Sequence, residues 1–286
     1  MQLEGYSAAR ACELARVSRA GFYRQWAEKA PQEFETELRD AMQRIALANR
    51  CYGYRRVVAG LKQQGWEVNH KRIARMLRED NLLSLRRRAF VATTDSRHGY
   101  TIYPNLARNM VLTAPNQLWV ADITYIRLAD VFVYLAVILD AFSRRLIGWE
   151  LDRSLTTGLV LSALRHALTG RAPAGDIVHH SDRGVQYCSG EYVHVLEEHG
   201  FTISMSRRGN PWDNAKCESF MKTLKAEEVY LKQYRDIDDA RANLSEFLDQ
   251  VYNRQRLHSA LQYRSPEAFE LAIASPAGVS LTEAPL

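Results

Sequence analysis

From residue 118 onward the apolar side chains fall in short runs that suit strands. Leu118 to Ile126 is a first strand, Val131 to Leu139 its hairpin partner, and Arg145 to Leu151 a third. The period then changes. Leu159, Val160, Ala163, Leu164 and Ala167 recur at helical spacing across Ser154 to Thr169, and Gly170 stops the pattern. Ile177 to His179 is a short buried strand, Ser189 to His199 a helix stopped by Gly200, Thr202 to Ser206 a fifth strand, and a further helix starts at about Pro211. The order βββαβαβα predicts an α/β unit, a mixed five-stranded sheet with flanking helices.

Helical spacing also dominates the front of the chain. Ser7 to Trp26 reads as two short helices parted near Val17 and Ser18, with Ser18 as the cap of the second. Ala11, Leu14 and Ala15 form one apolar stripe, Phe22 and Trp26 another. Glu35 to Asn49 predicts a helix, Tyr52 onward begins the next, and Asn69 caps one from about Lys71 to Asp80. On this last helix Ile73, Met76 and Leu77 point inward, while Arg72, Arg75 and Arg78 line a second face. Two helix-turn-helix units follow, at about 7–26 and 35–80. Such a unit places its second helix in a DNA major groove, which makes Arg19, Arg24 and the Arg72/Arg75/Arg78 stripe candidates for DNA contact. The plain structural reading is a helical hairpin with a solvated basic face and Glu79 and Asp80 as local partners. Residues 84–116 lose periodicity and carry Arg86, Arg87 and Arg88, a basic cluster suited to phosphate. The chain thus divides into 1–83 (helical, a candidate DNA-binding region), 84–114 (basic linker), 115–232 (the α/β unit) and 233–286 (C-terminal helical segment).

Charge sharpens that division. Residues 1–110 hold 20 Lys and Arg against 11 Asp and Glu, a net of +9, and the remainder holds 18 against 22, a net of −4. Basic charge gathered at the front implies a polyanionic partner there. The four cysteines, at 12, 51, 188 and 217, form no CxxC pair and fit neither a zinc site nor a disulfide framework, so a reducing compartment is expected. The longest apolar run, nine residues, is too short to span a bilayer, and no apolar signal segment opens the chain. A cytoplasmic protein with no membrane partner is the expectation.

Three acids stand out by position. Asp122 interrupts the apolar strand Trp119-Val-Ala-Asp-Ile-Thr-Tyr, where a carboxylate is costly unless paired or metal-bound. Asp182 follows the fourth strand, and Glu218 lies on the helix after the fifth. If the first and fourth strands are neighbours, these groups converge. Three converging carboxylates make sense as ligands for hard divalent cations, and two ions about 3.5–4 Å apart activate and stabilise the oxygens of a phosphodiester displacement. Taken singly, Asp182 reads as a turn residue and Glu218 as a surface partner of Lys222. Lys222 and Lys225 follow Glu218 on one helical face, as phosphate-binding cations or as a solvated stripe. His180 is a candidate for the metal or phosphate shell, and His179 for the core.

These motifs resemble the catalytic (OrfB) chains of IS3-family insertion-sequence transposases, within the DDE transposase and retroviral integrase superfamily. Trp119 to Tyr125, His180-Ser-Asp182-Arg-Gly-Val-Gln-Tyr and Ser206 to Phe220 match its three acidic motifs, with 35 residues between Asp182 and Glu218. Tyr52-Gly-Tyr-Arg-Arg and Tyr252-Asn-Arg-Gln-Arg-Leu-His258 match its flanking segments. The resemblance implies an RNase H-like core, Asp122, Asp182 and Glu218 as catalytic metal ligands, two Mg²⁺ (Mn²⁺ as substitute), and DNA as substrate: terminal repeats cleaved by water, then joined to target DNA through the freed 3′-OH. It also implies a bacterial, nucleoid-associated protein, a homo-oligomer, and an upstream-frame OrfA partner or fusion. The competing readings are a DNA-binding regulator without catalysis and a structure-specific nuclease on the same fold.

Overall fold

The computed structural model describes residues 7–20, 33–84, 101–129, 131–173, 175–207 and 210–275. Five strands, β1 (Leu118–Arg127), β2 (Phe132–Asp140), β3 (Leu146–Asp152), β4 (Ile177–Ser181) and β5 (Phe201–Met205), form one sheet in the order β3-β2-β1-β4-β5. β1, β2 and β3 pair antiparallel, while β4 pairs parallel with both β1 and β5. The sheet is mixed and lies between helices, as the element order predicts.

Alternation along β1 sorts the two faces. Trp119 and Ala121 turn toward α5 (Thr157–Arg171) and α6 (Gly190–Glu198), joining Leu159, Val160, Leu164 and Tyr192 in one buried cluster. Gly148 on β3 is what lets α5 approach. A Cβ there would lie 2.8 Å from Ala167 Cβ, 2.9 Å from Ala167 N, and against the Ala163 carbonyl. Leu118, Val120 and Ile126 face the other way, toward α7 (Ala215–Glu227) and α8 (Ile237–Ser245). α8 runs on without a break into a π-helix, Glu246–Gln255. Tyr234, Leu244, Phe247, Leu248 and Tyr252 from this late segment share the cluster of β1, β2 and β3. Asn253 fastens it by imitating a strand: its amide oxygen accepts the Leu146 N–H at 3.0 Å and its nitrogen donates to the Leu146 carbonyl at 2.9 Å. The last helix, α9 (Pro266–Ala274), is tied to the β2–β3 turn and to α5 by Glu270, which receives Arg145 at 2.8 Å and Arg171 at 2.6 Å.

At the front, α1 spans Ala8–Leu14, and α2 (Glu33–Ala48), α3 (Tyr54–Gln63) and α4 (His70–Glu79) form a three-helix unit. Asn69 caps α4 as anticipated, accepting the Lys71 N–H at 2.8 Å, and Ile73, Met76 and Leu77 are buried with Leu38, Met42 and Leu61. The stripe expected on α1 is corrected. Cys12 is buried while Leu14 stands 63% exposed, because this seven-residue helix ends at a left-handed turn (Arg16, φ 51°) before a second inward position arrives. Phe22, Trp26, Arg24 and Arg86, Arg87 and Arg88 lie outside the described residues, and Arg19 is exposed. Part of the expected linker is held against the sheet edge: Leu106 N donates to Ser204 Oγ at 2.9 Å, and Tyr103, Ala107, Met110 and Leu112 pack on the two clusters.

Candidate active site

Strand register alone brings two of the acids together. In the parallel pair, Leu118 is level with Val178 and Val120 with His180. Two further steps along each chain arrive at Asp122 and Asp182, just where β4 ends at Ser181. The carboxyl ends of parallel strands, where the chain leaves the sheet, are the usual place for a binding site.

The Asp122 carboxyl is poorly compensated. Asp122 accepts the Ile123 N–H at 2.9 Å and, among the described residues, no other hydrogen bond. Burial, followed by the charge of Asp182, pushes its pKa from the ordinary 3.8 up to about 7, against the opposing pull of the Ile123 N–H and Lys225. A second strand aspartate supplies the contrast. Asp140, fully buried at the end of β2, receives Asn116 N at 2.6 Å, Phe142 N and Ser143 N at 2.9 Å each, and Ser143 Oγ at 3.1 Å. That carboxyl is satisfied and shapes the β2–β3 turn. Asp122 has no such explanation. Asp182 shapes its own loop, since its Oδ1 accepts the Gly184 N–H at 2.9 Å, and a Cβ at residue 184 would stand 3.0 Å from that oxygen.

Glu218 is placed by α7. Asn214, at the head of this helix, donates to the Ala121 carbonyl at 3.0 Å, and Lys225 stands 4.7 Å from the centre of the Tyr125 ring. The helix therefore runs alongside β1 from Ala121 to Tyr125. Asn214, Glu218, Met221 and Lys225 share one stripe at spacings of four, three and four residues, so Glu218 passes beside Asp122. Its side chain does not complete the set, however. It is drawn to Lys222, with the ammonium 2.9 Å away. Among the described residues no three His, Cys, Asp or Glu side chains stand close enough together to hold a metal ion. The expected three-carboxylate site is thus an aspartate pair with the glutamate turned aside. Lys222 is 67% exposed, and Lys225 is half-buried, its acidity lowered by burial and supported by Asp122.

The donor chemistry of the pair fits a hard divalent cation: oxygen ligands only, with the charge of Asp182 acting on the carboxyl of Asp122. A neighbouring polar atom agrees. The hydroxyl of Tyr187, a residue 2% exposed, has no hydrogen-bond partner, and the phenol is held neutral by burial and by the charges of Tyr192, Asp122 and Asp182. A hydrated ion between the aspartates supplies acceptors that such a hydroxyl lacks. Nothing in the strand and helix pattern singled out Tyr187; it follows Asp182 by five residues in a turn, and only its burial marks it.

His180 is corrected. Its Nδ1 meets Ser204 Oγ at 2.8 Å and its Nε2 meets Ser206 Oγ at 3.0 Å, so both nitrogens are taken by β5 and the residue after it. Burial lowers its pKa to about 4. It is a neutral link between strands, with no nitrogen left for a metal or a phosphate. His179 lies in the core as expected, 2.9 Å from the Tyr192 hydroxyl. Asp213 is also structural, since the Arg207 side chain and N–H hold it well below the carboxylate range.

On α4 the basic stripe is partly engaged within the fold. Arg72 reaches Glu35 at 3.6 Å and lies over the Phe34 ring, and Arg75 reaches Glu79 at 3.5 Å. Arg78 is exposed and has no ion-pair partner among the described residues. Asp80, expected as a local partner, belongs instead to Arg39 on α2, which also holds Glu79 at 3.0 Å.

Comparison with known proteins agrees with this geometry. Two integrase core domain models match residues 113–211 and 199–266, and an HTH-like domain model matches residues 33–90. The chain is 37% identical to the 31 kDa protein of insertion element IS600 from Shigella sonnei, over 90% of its own length and 96% of that protein's. It is 34% identical to the transposase InsF of insertion sequence IS3A from Escherichia coli, over 91% of its length and 92% of that protein's. A chain of the simian T-cell lymphotropic virus intasome complex overlaps it loosely, at TM-score 0.49 and 17% identity, covering 79% of this chain and 74% of that one. With more than a third of its residues shared with one such protein across nine-tenths of its length, this chain belongs to the IS3-family insertion-sequence transposases, DNA strand transferases with an RNase H-like integrase core and an HTH-like front end.

Proposed function

We propose that this transposase cuts the phosphodiester bonds at the ends of an insertion sequence and joins the freed ends to target DNA, with Asp122, Asp182 and Glu218 as its acidic set. The observation that carries this reading is Asp122, a carboxyl that accepts only the Ile123 N–H among the described residues and lies beside Asp182 just past the end of β4, set against the fully satisfied Asp140. Mg²⁺ is the natural ion, two per site, with Mn²⁺ as substitute. Asp122 and Asp182 would hold it, with Glu218, here paired with Lys222, as the third candidate ligand. When bound, such ions supply Lewis-acid activation of the attacking oxygen and charge neutralisation at the leaving oxygen. In the first step water forms the new P–O bond and the 3′-oxygen departs, leaving a 3′-OH and a 5′-phosphate. In the second step that 3′-OH attacks a target phosphorus and the target's own 3′-oxygen departs. Lys225, set against Tyr125 beside Asp122, takes a phosphate next to the scissile one. Lys222 takes another when Glu218 releases it.

The helical front, residues 1–83 with Arg19, Arg24, Arg72, Arg75 and Arg78, contacts the terminal repeats, and Arg86, Arg87 and Arg88 in segment 84–114 bind backbone phosphate. Residues 115–232 are the catalytic core and residues 233–286 the C-terminal segment. Two DNA ends call for a homo-oligomer, and an upstream-frame chain is a partner or fusion. The protein works in the bacterial cytoplasm, at the nucleoid; none of the described helices is long and apolar enough to cross a membrane.

The test is cleavage and strand transfer on the element's own DNA ends, with the wild type compared with Glu218→Gln, each with and without the upstream-frame partner. Mg²⁺-dependent joining lost in the variant is the expected result. Joining that persists in Glu218→Gln removes this residue from the acidic set. DNA binding without any joining by the wild type, even with the partner, makes the chain a regulator.

A further inference from the structure

Four separate parts of the chain bring basic groups to one seam. Arg56 comes from α3 at the front, Arg144 and Lys216 from the β2–β3 turn and the head of α7, and Arg256 and His258 from the segment after the π-helix. Tyr52 closes the seam, its hydroxyl accepting the Leu257 N–H at 3.0 Å. Arg256, 5% exposed, grips Glu227 with two hydrogen bonds of 2.7 Å, and Arg56 approaches the same carboxylate at 3.8 Å. His258 lies edge-on to the Tyr252 ring, 5.0 Å between centres, with the Arg256 guanidinium 3.4 Å from its Nε2.

The charges here do not cancel. The acids facing the cluster are Glu227, already held by Arg256, and Asp140, whose oxygens are taken by N–H and O–H donors of the β2–β3 turn. Against them stand Arg56, Arg144, Lys216 and Arg256. Arg144 has no ion pair among the described residues, and its backbone is held in the left-handed region (φ 61°) with its carbonyl accepting the Tyr252 hydroxyl at 3.1 Å. Mutual repulsion shows in a neighbour: burial and then Arg256, Arg56 and Arg144 lower the pKa of His258 to about 3. A crowd of cations short of partners is costly in a protein interior, and a bound anion relieves the cost. The cluster is open to one, because Arg56, Arg144, Lys216 and His258 are each only half-buried. It also adjoins the acids without being part of them: Lys216 and Cys217 immediately precede Glu218, and the buried Cys217 thiol feels Asp122, Asp182 and Arg144 together.

We propose that Arg144, His258 and Arg56, backed by Arg256 and Lys216, form a seat for a DNA backbone phosphate outside the scissile position, at the seam between the front helices and the sheet. This rests on the transposase reading for the owner of the phosphate and not for the existence of the seat. Arg144 supplies the free fork of donors, and the neutral His258 a further N–H. Because the seat joins both halves of the chain, a strand lying in it is fixed relative to the acids and to α4 at once.

The test is binding of the full chain, without metal, to a random-sequence DNA duplex, followed by fluorescence anisotropy from about 50 to about 200 mM salt. Losing one phosphate contact lowers the slope of log affinity against log salt by about 0.9. Arg144→Gln is expected to show that drop with a several-fold loss of affinity. Arg254→Gln, an exposed arginine paired with Glu267 at 3.0 Å, is expected to keep the wild-type slope. Equal slopes for wild type and Arg144→Gln overturn the seat, as does an equal drop in both variants, which reports net charge alone. If Arg144→Gln melts lower than the wild type, Arg144→Lys decides: a slope near wild type supports the seat, and a slope still reduced by about 0.9 refutes it. Chemistry is not read in this assay, so loss of the catalytic reading through Glu218→Gln and loss of the seat are separate outcomes.

Discussion

Replacing Asp122 with asparagine is expected to stabilise the metal-free protein while removing its chemistry. Folding moves this carboxyl from an ordinary 3.8 up to about 7, so the fold holds the proton more tightly than the unfolded chain does. Stability associated with that proton is complete below about pH 4 and is lost as the pH rises toward 7, beyond which the loss is constant. A displacement of about three pH units corresponds to a ceiling of about 4 kcal/mol at 1.36 kcal/mol per unit. Relaxation and water reaching this partly exposed side chain lower the working figure to about 1–2 kcal/mol. Asparagine removes the charge and keeps an oxygen for the Ile123 N–H, which donates at 2.9 Å. Thermal unfolding of wild type and Asp122→Asn, each in a chelator, is the assay. The gap between their melting temperatures is expected to open from about pH 4 and level off above about pH 7, at roughly 2–4 °C per kcal/mol. Taking the difference cancels the titration of groups that do not interact with Asp122. A gap that does not change with pH refutes the argument, and so does a variant less stable than the wild type above pH 7. Added Mg²⁺ is expected to raise the wild type and to leave Asp122→Asn nearly unmoved.

Three further outcomes follow from the same geometry. Arg78→Gln is expected to weaken DNA binding and reduce its salt slope by about 0.9, more than Arg72→Gln or Arg75→Gln, because Glu35 and Glu79 already engage those two; equal binding by all three variants and the wild type retires α4 as a DNA contact. Gly148→Ala is expected to cost about 3 kcal/mol in urea unfolding, since the new methyl meets the backbone of α5; a change below about 0.5 kcal/mol means that α5 is free to retreat. Tyr187→Phe is expected to leave unfolding within about 1 kcal/mol of the wild type and to weaken Mg²⁺ several-fold in calorimetric titration. Unchanged Mg²⁺ affinity dissociates the Tyr187 hydroxyl from the acid pair.

Much of the fold was legible because local pattern and global packing agree in it. β1 and β2 announce themselves by apolar runs, α4 by Asn69 and the Ile73–Met76–Leu77 stripe, and the central place of β1 beside β4 follows from the order of elements. Asp122 was legible for the opposite reason, as a charge where the pattern calls for an apolar residue. Asp140 breaks the same pattern and was passed over, because its partners Asn116, Phe142 and Ser143 assemble only in the folded turn. Helix spacing places Glu218 beside β1, but the rotamer that turns it to Lys222 is a contest between nearby charges that spacing does not decide. His180 looked available for the same reason, since Ser204 and Ser206 reach it from a strand more than twenty residues away. The π-helix and the strand-like grip of Asn253 on Leu146 have no local signature, and both depend on a surface made elsewhere in the chain.

The hydrogen bond from Leu257 N to the Tyr52 hydroxyl spans 205 residues, and Leu257 packs in the cluster of Ile73 and Leu61. During synthesis, at about 5–20 residues per second, the front helices therefore wait many seconds for the piece that completes their core. The sheet waits as well, for Leu244, Leu248 and Tyr252 to cover the face that carries Asp122. Closure of such distant contacts is slow compared with helix formation. A ribosome stalled before about residue 257 accordingly displays basic helices able to meet DNA together with a sheet whose catalytic face is still bare. The stretch from Leu244 to Leu257 is thus the one that closes both the sheet and the front helices.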